Sequence, residues 1–319
     1  MTSSDIVMDR TAGEAGLATR RPDTVVWAVV AGMAWLLAAM LWKTGLSLDT
    51  ASNPALLIVA ACYALLTCFY VFVRKIPVIA DALILFGQIT LMMILGLLLS
   101  YAVSAIPLPY RDVELHAFDL SIGFYREAYL KFLVDHPRLL GFVYLGYASL
   151  LTQFVVVPFA LVLSGQEERC RTYGVAYGLS LTVTCIIAAF VPATNALVHV
   201  DLPTIGYGEL SLRVESYFPT LEALRTGVQK FIPLCDFEGL ISFPSFHTVS
   251  AILYAWALWP LARLRWLSVP LNLLMILGTP GFGAHYIVDV IAGVVVAILS
   301  IIVAAHIRGR QSSFGQVRP

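Results

Sequence analysis

Eight stretches of this chain are apolar over lengths that suit a bilayer: Thr24–Leu46, Ala55–Val73, Val78–Ile106, Leu139–Leu163, Tyr173–Val191, Phe243–Leu261, Trp266–Pro280 and Ala284–His306. A helix needs about 20 apolar residues to cross the hydrocarbon, so the pattern predicts about eight transmembrane helices, the seventh being the shortest. Two longer polar segments interrupt them. Residues 107–138 alternate Val113, Phe118, Leu120, Phe124, Tyr125 and Phe132 with Asp112, Glu114, Asp119, Arg126 and Glu127. That mixture predicts a surface helix in the interface plane. Residues 192–242 are polar, contain glycine and lead directly into Phe-Pro-Ser-Phe-His. A connection of that length is usually functional or disordered, and this one reads as a lid or recognition loop.

Basic residues then orient the spans. Arg10, Arg20 and Arg21 precede the first; Arg74 and Lys75 follow the second, Arg169 and Arg171 the fourth, and Arg263 and Arg265 the sixth. Arg308, Arg310 and Arg318 close the chain. Short basic connections on every second turn mark cytoplasmic segments, which puts both termini in the cytoplasm and loops 107–138 and 192–242 outside. The division expected is a tail over 1–23, two additional N-terminal helices over 24–75, a six-helix core over 76–307 and a tail over 308–319. The first span is long and rich in tryptophan, so it reads as a retained helix rather than a cleaved signal.

Composition agrees with an all-α integral membrane protein: 59% apolar and 13% charged, with a mean hydropathy of +0.84. Soluble domains are about 25% charged. The 20 basic and 20 acidic residues cancel, which removes any bulk electrostatic case for a nucleic-acid partner. Five cysteines without a CxxC pair indicate neither a disulfide framework nor a zinc site and read as small buried hydrophobes.

Against this background His285 and Asp289 stand out, a base and an acid four residues apart in the last apolar stretch. Ionisable groups inside a membrane are expensive and by default functional. The spacing predicts both on one helix face. A carboxylate on one ring nitrogen leaves the other free to attack and stabilises the charge that develops. His247, in Phe243-Pro244-Ser245-Phe246-His247-Thr248, is predicted at the same depth on the same side, where it can protonate a leaving oxygen. Blander readings stand beside these: a buried polar pair bracing a helix contact for His285–Asp289, and a helix cap for Ser245 with Pro244 in the first turn. Two histidines and an aspartate can also ligate zinc, but no further ligand cluster supports a metal.

The His247 motif together with Gly283-Ala284-His285-Tyr286-Ile287-Val288-Asp289-Val290-Ile291-Ala292-Gly293 resembles the type 2 phosphatidic acid phosphatase superfamily. More narrowly it is similar to the inositol phosphorylceramide synthase branch and its bacterial relatives. The resemblance spans about residues 78–307. It implies His285 as nucleophile, Asp289 as its orienter and His247 as general acid. The implied substrate is a lipid phosphate or phosphodiester, with water or an alcohol as acceptor and no metal, nucleotide or other cofactor. It also implies an inner (plasma) membrane setting in a bacterium, with the site on the extracytoplasmic face.

The sequence departs from the superfamily's phosphatases at three places. Phe246 replaces the glycine of Pro-Ser-Gly-His, Gly278 and Thr279 replace a Ser-Arg pair, and Ala189–Leu197 lacks the cations of Lys-x6-Arg-Pro. Phosphate still needs charge compensation, for which Arg225, Lys230, Arg213 and Arg111 are available, Arg225 first, with Ser245 as a hydrogen-bond donor. The depletion favours headgroup transfer over simple hydrolysis. The rival of another class is a non-catalytic transporter or scaffold, although no inverted repeat is evident.

Overall fold

The computed structural model describes residues 23–199, 218–234 and 239–315. Helix α1 (Thr24–Thr44) opens where the Asp23 side chain accepts from the Val25 and Val26 amides, and closes at Gly45, whose φ of 68° suits a residue without Cβ. Strand β1 (Ser47–Asp49) leads to α2 (Pro54–Cys68), which starts with proline behind an Asn53 cap and runs on through a π turn to Val73. Then come α3 (Pro77–Ser104), α4 (Asp112–Ser121), α5 (Arg126–Asp135), α6 (Pro137–Ala148), α7 (Leu150–Leu163) and α8 (Glu167–Phe190). After strand β2 (Phe231–Pro233) follow α9 (Phe246–Leu258), α10 (Ala262–Phe282) and α11 (Ile287–Gly315).

Five of these helices are long and apolar enough to cross a membrane: α1, α2 with its π turn, α3, α8 and α11. The predicted fourth span is instead two helices, α6 and α7, bent by 53°, and counting them as one span gives six. At the break Ser149 donates from its amide to Leu145 and Gly146 and from Oγ to Gly146, so the freed carbonyls keep partners. The predicted sixth span shortens to the 13 residues of α9. Pro244 precedes its cap and Pro260 follows its end, and proline brings no amide hydrogen to continue a helix ladder. Helix α10 has 21 residues and contains Pro270 and Pro280.

Helix α1 shares the main core: Val26, Val30 and Met33 pack with Ile89 and Met92 of α3 and Tyr177 of α8. Helix α9 lies inside this core with Val249, Leu253 and Tyr254 fully buried. Gln153 of α7 and Asn272 of α10 exchange side-chain amide bonds of 3.2 and 2.9 Å, so this buried polar pair is satisfied on both sides. Helix α2 differs, having no buried residue; Tyr63 ties it to α3 by a hydroxyl bond to Leu83 O. Cys62 and Cys68 on α2 are consequently exposed and unpaired, against the expectation of buried thiols, while Cys170 and Cys185 are buried as expected.

Polar contacts group the connections at two ends of the bundle. At one end β1 pairs in parallel with β2, Leu48 opposite Ile232, joining the α1–α2 connection to the loop before α9. At the other, Arg308 of α11 and Arg171 of α8 meet Asp23 at 2.7 and 3.5 Å. Connections that the basic-residue pattern assigned to a common side therefore meet each other. Arg213, the first 22 residues and residues 235–238 lie outside the described residues.

Candidate active site

The site forms where the N-termini of α9 and α11 meet. Ser245 caps α9, its Oγ accepting from the Thr248 amide at 3.4 Å and from the Thr248 hydroxyl at 3.3 Å. Its own amide donates to Asp289 O at 3.1 Å. Gly293 permits the approach, because a Cβ there would lie 2.7 Å from Ser245 O. Ser245 is fully buried, and Pro244 precedes the cap rather than sitting in the first turn.

His285 lies in the bend before α11, so the pair is not formed across one helix face as the spacing predicted. Asp289 is the third residue of α11. Its Oδ2 accepts from the Tyr286 amide at 3.0 Å, the reach-back of a capping box, and from the Ser242 hydroxyl at 3.2 Å. The same oxygen lies 3.1 Å from Nδ1 of His285. An ionised Asp289 accepts the Nδ1 proton and leaves Nε2 of His285 free. The bend is sharp: Ala284 has a φ of 53°, and a Cβ on Gly283 would lie 2.7 Å from His285 Cδ2. His285 and Asp289 are both buried. His247, second residue of α9, places its ring centroid 6.4 Å from that of His285, and the ring of Tyr147 of α6 stacks on it at 4.3 Å.

Sequence reasoning missed the frame around this bend. Segment 107–138 folds as two helices, α4 and α5, that turn charged residues inward. Asp119 accepts from the Ile287 and Val288 amides at 3.0 and 3.3 Å, capping α11 from outside its own chain segment. Arg126 donates to Asp119 at 3.1 Å and to Pro280 O at 2.8 Å. Asp112 accepts from the Tyr286 hydroxyl at 3.0 Å and from the Thr194 amide and hydroxyl, while the Ala196 amide donates to Ala284 O at 2.8 Å. Burial pushes the Tyr286 hydroxyl up, and the Asp112 carboxylate beside it adds to the effect. Burial likewise lowers Arg126, opposed by the neighbouring carboxylates Asp119 and Asp289. The seven-residue spacing of Asp112, Asp119 and Arg126 was the available signal. Meanwhile Val113, Tyr125 and Phe132 face outward, inverting the usual amphipathic pattern.

The bend thus brings together His247, His285, Asp289 and Ser245. Arg225 is held elsewhere, donating to the carbonyls of Ile106 and Leu108 with its guanidinium 4.0 Å over the Tyr110 ring. Lys230 is exposed, and its carbonyl accepts from Ser47. Arg111 pairs with Glu114 at 2.9 Å. Thr279, where the phosphatases have arginine, is buried and donates to Met275 O. Among the described residues no group of three His, Cys, Asp or Glu side chains could hold a metal ion.

Fold and site together define an all-helical integral membrane protein with two imidazoles and a carboxylate gathered at one end of its bundle. The chain belongs to the PAP2 superfamily: the family model matches residues 113–303, more than half of the sequence, from α4 into α11. Such proteins are typically phosphatases acting on lipid phosphates, which supports an enzyme. No curated protein and no solved structure matches the chain.

Proposed function

We propose that this protein is a membrane phosphotransferase acting on a lipid phosphate or phosphodiester through a phosphohistidine at His285, with headgroup transfer in the manner of inositol phosphorylceramide synthase preferred over hydrolysis. The observation that carries the reading is the buried His285–Asp289 pair, 3.1 Å between Nδ1 and Oδ2, with the His247 imidazole facing it at 6.4 Å. Nε2 of His285 attacks phosphorus as the P–O bond to the leaving group breaks, and His247 gives its proton to the departing oxygen. Asp289 stabilises the positive charge that grows on His285. His247, now neutral, takes the proton of the acceptor hydroxyl as that oxygen bonds to phosphorus and the P–N bond breaks, returning neutral His285 as the leaving group.

Two features support a phosphodiester and transfer. The cations that hold a dianionic monoester in the phosphatases are replaced by Thr279 and the neutral Ala189–Leu197 stretch. The frame around the bend holds three buried carboxylates, Asp112, Asp119 and Asp289, beside the buried Arg126, which disfavours a second negative charge on the substrate. The basic connections support a site on the extracytoplasmic leaflet with both termini in the cytoplasm, and the resemblance implies that the membrane is a bacterial inner membrane. Of the phosphate contacts expected from the sequence, Ser245 adjoins the pair, whereas Arg225 and Lys230 are engaged away from it, so Ser245 is the one retained in this proposal.

The test is incubation of purified protein with phosphorus-labelled lipid phosphates and phosphodiesters, with and without a long-chain alcohol. A new labelled lipid and an acid-labile label lost in His285→Ala are expected. Released inorganic phosphate with no new lipid would mean hydrolysis, and undiminished turnover by His285→Ala would remove the enzymatic reading.

A further inference from the structure

We infer that Tyr147 is a positioning residue for the general acid: its ring, laid flat on the His247 imidazole, holds that ring in the plane from which it protonates the leaving oxygen. The inference rests on the reading of His247 as that acid.

The rings of Tyr147 and His247 are 4.3 Å apart and within 11° of parallel. Aromatic pairs in the core behave differently: Phe86–Phe154 and Tyr173–Tyr177 are tilted by 56° and 50°. Aromatic pairs generally favour offset or edge-on geometry, and a flat stack on an imidazole adds the attraction of a π face for the protonated ring. One face of His247 is thus covered, and the imidazole of His285 approaches it edge-on at 61°.

Tyr147 is itself fixed. It sits in the last turn of α6, just before the 53° bend, and is 8% exposed. Gly278 clears a place for it, because a Cβ there would lie 2.9 Å from Tyr147 Cβ and 3.1 Å from Val143 O. Gly283 does the same for the ring, since its Cβ would come within 3.3 Å of Cε2. Phe282 packs alongside at 5.8 Å. Gly283 also permits the bend that carries His285. One glycine therefore serves both histidines, and the tyrosine is built in with the nucleophile's turn.

The chemistry gives a readout that a purely structural role would not move. An alkoxide needs a proton from His247 to depart as the P–O bond breaks, whereas 4-nitrophenolate leaves without one. Two amphiphilic phosphoesters are compared, identical except that the leaving group is an alkyl alcohol or 4-nitrophenol. With His247→Ala the alkyl ester is expected to lose about 10²–10⁴-fold in kcat and the aryl ester far less, the contribution of general acid catalysis. With Tyr147→Leu the alkyl ester is expected to lose about 10–100-fold, a part of that contribution, with KM and the aryl rate nearly unchanged. Tyr147→Phe, which keeps the ring, is expected to restore the wild-type ratio. Gly278→Ser keeps the tyrosine but displaces it by crowding its Cβ; it is read in the same way should Tyr147→Leu not fold, with a smaller selective loss expected. Equal losses on both esters, or none, would overturn the inference. If His247→Ala itself shows no leaving-group selectivity, the acid reading fails instead.

Discussion

At the end of the bundle away from the site, Asp23 and Glu168 meet Arg308 at 2.7 and 2.6 Å, and Arg171 meets both acids. Acids and bases there compensate one another, and Arg169 adds a guanidinium to the carbonyls of Ala257 and Trp256 at the close of α9. At the site end Asp112, Asp119 and Asp289 are buried with Arg126, and much of what they accept comes from backbone amides and hydroxyls. The Asp23 cluster fastens helix ends by mutual neutralisation. The site cluster spends its charge on placing backbone: the start of α11, the hydroxyl of Tyr286 and the bend that presents His285. Carboxylates aimed at N–H groups form strong, directional bonds, and their surplus negative charge suits the proposed mechanism, in which the His285 imidazole becomes positive.

The sharpest way to break this contrast is to remove charge at the site itself. His285→Ala is expected to lower lipid-phosphate turnover by about 10³-fold or more, as loss of a covalent nucleophile does, with little change in the unfolding midpoint. Asp289→Asn keeps shape but removes the charge and the acceptor that selects the His285 tautomer. A loss of about 10⁴-fold in kcat is the precedent for such a change in a serine protease, and a loss below tenfold would show that Asp289 only braces α11.

How these residues could be read in advance varied with the kind of physics that places them. Long uninterrupted apolar runs translate directly into membrane helices, so α1, α3 and α8 follow the sequence closely. His285, Asp289 and His247 were legible because polar groups in apolar stretches are costly. Their geometry was less so: the i, i+4 spacing suggested one helix face, whereas the Ala284 φ of 53° puts His285 in the bend. The Ser149 break and the place of Tyr147 depend on how closely α6 approaches α10, which Gly146 and Gly278 permit and no periodicity announces. Asp119 and Arg126 read as a solvated face because nothing local says that α4 and α5 turn their charges inward. That depends on what they pack against, more than 150 residues later.

The Asp119–Arg126 pair tests whether the site end relies on compensation after all. Both side chains are buried, 2% and 3% exposed at 3.1 Å. Asp119→Ala leaves a buried guanidinium unpaired and uncaps α11, so a destabilisation of about 3–5 kcal/mol is expected, measured by denaturant titration in detergent. Arg126→Met removes the cation but leaves Asp119 its backbone donors and is expected to cost less. If the pair were a simple mutual neutralisation like those of the opposite end, the two single losses would be alike. In the double variant the losses should fall short of additive, and additivity within about 0.5 kcal/mol would mean that the two act independently.

The smallest effect belongs to the opposite end. Asp23 caps α1 through the Val25 and Val26 amides, and asparagine caps a helix about as well, so Asp23→Asn removes charge while keeping the cap. Burial by itself would raise the Asp23 carboxyl, but the Arg308 hydrogen bond and charge, the Val26 amide and Arg171 outweigh it and hold it below its ordinary 3.8. A carboxyl lowered by folding contributes stability that is fully present above its unfolded value and is lost as pH falls through the folded value. The wild-type unfolding midpoint should therefore fall below about pH 4, the ordinary carboxylate range, and Asp23→Asn should flatten part of that fall while costing about 2 kcal/mol at neutral pH, the order of a hydrogen bond to a charged group, because Arg308 and Arg171 keep Glu168 as a partner. High salt should weaken the contacts of Glu168, which is 79% exposed, and leave the Asp23–Arg308 pair, 7% and 11% exposed, and the buried Asp119–Arg126 contribution almost untouched, because screening acts on exposed charges far more than on buried ones.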